Sequence, residues 1–252
     1  MRDYTNLQWP EAPFGAEQRP FGQHHDMLAA FAVDWTSLDA GLLPVAAATV
    51  YLRVRRHGTA AQAGEQSLSI GFRATVIEEP AEAPHLLTLT DRALTRARRH
   101  AVILAGHHLD NDLTCMGALS TTPLRGAAGV LAAWANRTVK ERGVALMIDT
   151  AAEARTTGVE LDMPLDPVPE SVPDCPGCAA RLARCVLARC LAVGLTAAVH
   201  AGRYRWEGTF HVGDAIDRAA WDLLSANFDD AGHQHRHQTT HRAATPPRRN
   251  RR

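Results

Sequence analysis

The residues best placed to do chemistry lie in AVILAGHHLDNDL, Ala101 to Leu113. An apolar run there ends in Gly-His-His, and acids follow within what reads as the first turn of a helix. A strand that stops at a polar elbow and continues as a helix delivers those side chains to the C-terminal edge of a sheet. That edge is where open α/β sheets bind ligands. A second strand-like run, Phe31-Ala-Val-Asp34, ends in an acid in the same way. Two carboxylates brought to one sheet edge, Asp34 and Asp112, form a donor set for a divalent metal acting on phosphate.

The elements that would position them follow from hydropathy pattern. FAVDW (31–35) reads as a buried strand, and PVAAATVYLRVRR (44–56) as a second, rich in β-branched residues. SLSIGFRATVI (67–77) alternates and reads as a third, joined to the second by a short Gly-containing turn as an antiparallel hairpin. Helical spacing runs from Leu86 to His100, with Arg92, Arg96, Arg98 and Arg99 on a solvated face. The central strand 101–106, a helix from about 110 to 119, a helix over 125–139 and a strand over 144–150 come next. Residues 159–176 are Pro-rich and acidic and read as loop. Ala179 to Ala201 forms one long Ala-rich helix, and Asp214 reads as the N-cap of a last one. Helices between the later strands favour parallel pairing there. The expected fold is therefore α/β, a ribonuclease H-like mixed sheet with an early antiparallel hairpin and later parallel strands, flanked by helices.

The 252 residues suffice for one large domain, and 46% of them are hydrophobic. Residues 1–27 read as an irregular leader, 28–228 as the domain, and 229–252 as a disordered His/Arg-rich tail. The formal charge of zero hides an asymmetry. Six arginines and no acid follow Asp230, which leaves −6 on the first 230 residues. Such a body does not bind duplex non-specifically with any strength. No segment reads as a run of the ~18 apolar residues that span a membrane. The N-terminus lacks the basic-then-apolar order of a signal peptide. A cytoplasmic protein with no membrane partner is the expectation.

The order of elements and three short motifs resemble the DEDD 3′–5′ exonucleases of the proofreading type over roughly residues 28–200. The family's first motif, Asp-x-Glu on the first strand, aligns with Asp34-Trp35-Thr36, with Thr in place of Glu. Its second, Gly-His-Asn-x-x-x-Asp, aligns with Gly106-His107-His108-Leu109-Asp110-Asn111-Asp112, with His in place of Asn. Asp149-Thr150 matches an Asp-Thr pair on the later strand. The third motif, His-x-x-x-x-Asp on the last helix, finds only Ala188-Arg189-Cys190-Leu191-Ala192-Val193. His211, Asp214 and Asp217 do not restore it, because their offsets are three and six. The resemblance implies Asp34 and Asp112 as metal ligands and catalytic candidates, with Thr36, His107 and His108 contacting nucleic acid.

The physics of such a centre says what is missing. Two metal ions about 4 Å apart need several carboxylates to offset their charge. Asp34 and Asp112 alone hold at most one weakly bound Mg or Mn ion. The general base absent from the last helix is worth about 10²–10⁴-fold in rate.

Other constellations carry chemistry of their own. Cys175-Pro-Gly-Cys178 has the spacing of a zinc knuckle, and Cys185 shares a helix face with Cys178. The same pair is also readable as a redox dithiol at a helix N-terminus, or as small packing residues. His233, His235, His237 and His241 could bind metal in the tail. Tyr204, Trp206 and Phe210 read as stacking residues or as an anchor for the last helix. The leading expectation is an exonuclease fold with a decayed metal site, now a module that binds a single-stranded nucleic-acid end or a protein. A divergent Mg- or Mn-dependent 3′–5′ exonuclease, recruiting His108 or Asp110, is the alternative. A zinc-stabilised interaction protein organised by Cys175, Cys178 and Cys185 is the third.

Overall fold

The structure, a computed structural model, describes residues 1–7, 25–39, 41–55, 58–136, 145–153, 160–166 and 171–224. His24 and the tail from 229 onward, with its histidines, lie outside the described residues.

Six strands form one mixed sheet: β1 (Arg2–Thr5), β2 (His25–Leu38), β3 (Gly41–Arg55), β4 (Ile70–Val76), β5 (Ile103–Gly106) and β6 (Leu146–Asp149). Their order across the sheet is β1-β4-β3-β2-β5-β6. β1, β4, β3 and β2 pair antiparallel in succession, and β5 and β6 continue from β2 in parallel. The fold is thus α/β with antiparallel and parallel halves. Arg2–Thr5 is an edge strand rather than irregular leader. It is held where Asn6 donates to Ile70 O at 2.8 Å and accepts from the Phe72 N–H at 2.8 Å.

The early strands are longer than their apolar cores suggest. β2 and β3 run 14 and 15 residues, and β3 opens at Gly41, which takes φ 121°. That backbone region is open to glycine at little cost. Pairing slips by one between Asp34 and Trp35, which face Ala46 and Pro44 and leave Val45 as the extra residue of a bulge on β3. Pro44 offers no N–H, which suits a bulge. β2 keeps its alternation, so Asp34 and Trp35 point to opposite faces.

Among the described residues, five α-helices flank the sheet: α1 (Ala83–His100), α2 (Leu109–Leu119), α3 (Arg125–Ala135), α4 (Pro176–His200) and α5 (Val212–Leu224). α4 crosses β3, β2 and β4. By length and composition α4 could cross a membrane, which the sequence reading missed, but 83% of its apolar window is buried inside the protein. It is a core helix, apolar nearly all round because it is covered nearly all round. Gly194 permits the approach, since a Cβ there would sit 3.2 Å from the Ala30 Cβ and 3.3 Å from Leu52. α5 starts at Val212, so Asp214 lies inside its first turn rather than at its cap.

α1 packs on β3 and on α3. The two helices touch at Gly126, where an added Cβ would lie 2.2 Å from the Asp91 carbonyl oxygen. Asp91 also caps α3 from outside by accepting from the Ala127 N–H at 2.8 Å. Gly126→Ala is therefore expected to cost about 1–3 kcal/mol by forcing the helices apart. Urea denaturation checks this, and an unshifted midpoint would show that the contact has slack.

Candidate functional site

Asp34 sits near the end of β2, 3% exposed, on the face that α4 covers. The side chain that meets it is Arg189 of α4, itself 5% exposed. The guanidinium donates to the Asp34 carboxylate and, at 3.2 Å, to the Val33 carbonyl. Burial draws the Arg189 pKa down to about 10, which leaves it cationic at neutral pH. Arg189 lies in the apolar middle of α4, one residue after Ala188 and four before Val193, and it brings a buried positive charge to Asp34.

Asp112, on the first turn of α2, is also buried. Its Oδ1 accepts from the Trp35 indole N–H at 3.0 Å. Burial pushes its pKa up to about 7, against the lowering effect of that hydrogen bond. Asp34 and Asp112 thus have different partners on different elements. The Asp34 arrangement does not fit a divalent ion, because that carboxylate is already neutralised by a buried cation.

Asp149 ends β6 beside Gly106. It accepts from the N–H groups of His108 at 3.0 Å, Leu109 at 3.2 Å and Ala151 at 3.0 Å. It therefore satisfies the N-terminus of α2, whose own N-cap residue, His108, makes no side-chain cap. Thr36 is half-buried two residues beyond Asp34. Asp110, exposed, accepts from the Asn111 N–H at 2.9 Å. His211 lies 3.5 Å from Asp162, and Asp217 pairs with Arg184 at 2.7 Å, so both serve contacts away from Asp34.

His107 and His108 meet a residue that sequence reasoning left in a loop, Asp166. His107 Nε2 is 3.1 Å and His108 Nε2 3.4 Å from the same Asp166 oxygen. The two rings pack edge-on at 4.6 Å between centroids. His107 Nδ1 is 2.9 Å from the Thr150 hydroxyl, which donates to the Gly106 carbonyl at 3.2 Å. The hydrogen bonds of both histidines lower the pKa of Asp166.

The cysteine cluster forms in part. Cys175 is the N-cap of α4, and its Sγ accepts from the Cys178 N–H at 3.1 Å. Asp174, Cys175 and Cys178 bring ligand atoms within 4.8 Å of one another. Cys185 does not join them, because seven residues of helix carry it about 10 Å along the axis. The hydrogen bond with Cys175, then burial and Asp174, push the Cys178 thiol up to about 12. Cys190 is buried and packs on β2 and β3, donating to the Ala30 carbonyl at 3.2 Å. Phe210 is 1% exposed and packs at a tilt against Trp206, so these rings anchor the chain entering α5.

Protein-family models, curated proteins and solved structures all return no match to this chain.

Proposed function

We propose that this chain is a ribonuclease H-like domain of proofreading-exonuclease type whose two-ion centre has been replaced by an internal ion pair. It serves as a module that binds a single-stranded nucleic-acid end and does not hydrolyse it. The observation that carries this reading is the Arg189 guanidinium on Asp34. A cation fixed in the protein on the first metal-ligating position takes the place of the ion that would polarise a phosphate. The strand order supports the fold assignment. β4-β3-β2-β5-β6 has the antiparallel-then-parallel arrangement of that fold, with β1 added outside it.

The same ion pair bears on binding. An unoccupied set of carboxylates repels a phosphate backbone unless metal ions screen it. Here Asp34 is neutralised by Arg189 and Asp112 is half protonated near pH 7. A strand end can approach this edge without divalent ions.

Digestion of a 3′-end-labelled single strand in Mg²⁺ and in Mn²⁺, beside Asp34→Asn, tests the reading. The expected result is no nucleotide release by either protein and salt-dependent binding by the wild type. Release that disappears in Asp34→Asn would overturn it. Neither release nor binding would shift the partner from nucleic acid to protein.

A further inference from the structure

We infer that His107 Nε2, His108 Nε2 and the Asp166 carboxylate form a mononuclear site for a divalent transition ion of the zinc class, with a fourth position open to water. The inference stands apart from the binding module proposed above and does not depend on it.

Hydrogen-bond direction supplies the first argument. The Thr150 hydroxyl has one proton, and the Gly106 carbonyl at 3.2 Å can only accept it. Thr150 therefore accepts from His107 Nδ1–H, which leaves Nε2 as the ring nitrogen that faces Asp166. Nε2 and the Asp166 oxygen, 3.1 Å apart, are spaced to share one cation. A metal-bound imidazole with its other nitrogen held by a fixed acceptor is the usual arrangement around such ions.

Distances supply the second. Ligands at 2.0–2.1 Å from a tetrahedral zinc lie about 3.3 Å from one another. The two nitrogens stand 3.1 and 3.4 Å from the Asp166 oxygen. All three ligand atoms fall within 4.8 Å. Two imidazoles and a carboxylate suit zinc and its neighbours better than Mg²⁺, which prefers oxygen alone.

The backbone supplies the third. His108 takes φ 56° and ψ 47° and is the one non-glycine residue among those described with positive φ. Such a conformation costs about 1–2 kcal/mol in an ordinary residue. Strain of this kind gathers where a side chain must be aimed. The exposures fit an open site: the His107 side chain is 9% exposed, His108 49% and Asp166 76%.

The test uses the full chain, stripped with chelator and dialysed against Zn²⁺, then against Co²⁺ as a spectroscopic probe. Asp166→Asn and His108→Asn are the variants. The first is on the surface, and Asn adopts the left-handed backbone readily. The wild type is expected to retain one more equivalent of Zn²⁺ than either variant, a loss of affinity of at least about 100-fold. Tail histidines and the Asp174-Cys175-Cys178 group contribute equally to all three proteins and cancel in the difference. Bound Co²⁺ should show visible d–d bands that both variants lose. Thr150→Val, which removes the hydroxyl from His107 Nδ1 and from the Gly106 carbonyl and leaves all three ligand atoms in place, should weaken Zn²⁺ by about 10–100-fold without changing the stoichiometry at saturation. Equal stoichiometry and unchanged Co²⁺ spectra in wild type and both Asn variants would overturn the site. So would a thiolate-to-cobalt band that only Cys175→Ser removes.

Discussion

Arg189→Met is expected to destabilise the protein by about 3–5 kcal/mol, and adding Asp34→Leu to return most of that loss. Both side chains are almost wholly buried, so removing the cation strands a carboxylate in a low-dielectric interior. The remaining contacts cannot replace it, since no other cation is seen on Asp34 among the described residues. Two well-packed apolar side chains, by contrast, often stabilise as well as the ion pair they replace. A double-mutant cycle in urea separates these effects. If the double variant loses the sum of what Arg189→Met and Asp34→Leu lose separately, the two groups are not coupled. The claim that an internal cation stands in for the metal would then fail with them.

At pH 8, Asp112→Asn is expected to be more stable than the wild type by up to roughly 4 kcal/mol, with the advantage shrinking as pH falls. The sign follows from burial. The carboxyl has an ordinary value of 3.8, and in the folded protein burial raises it to about 7. Between those values the folded chain holds a proton that the unfolded chain has released. Stability is therefore highest below about pH 4 and declines as pH rises to about 7. Asn has no proton to lose, and its side-chain oxygen can still accept from Trp35. Parallel pH–stability curves for the two proteins would show that Asp112 ionises freely and is open to a metal.

These two acids also show how far the sequence could be read. Asp34 and Asp112 are recognisable because each interrupts an apolar pattern at an element end, and the structure does bury both. Their partners follow less easily. Arg189 is a single cation inside the apolar run Val186–Leu195, and a buried arginine implies a buried acid somewhere. That signal was present, but the pairing spans 155 residues and only the crossing of α4 over β2 brings it together. Asp166 gave no signal at all. It lies in an acidic, Pro-rich stretch where one carboxylate looks like the next, and only tertiary placement distinguishes it. Strands β2 to β6 were legible from alternation and apolar runs. β1 was not, because four residues, Arg-Asp-Tyr-Thr, carry too short a pattern to separate an edge strand from a coil.

The lengths of the strands have a consequence for assembly. The two long ones, β2 and β3, lie in the interior of the sheet, and both outermost strands have four residues. A tapered sheet offers an incoming strand little backbone to zip onto at either margin, and β1 adds charge there through Arg2 and Asp3. Polymerisation by edge-to-edge growth is therefore disfavoured from the start. For the same reason a protein partner has little to gain by adding a strand of its own, and is directed to the helical faces or to the rim where β5 and β6 end.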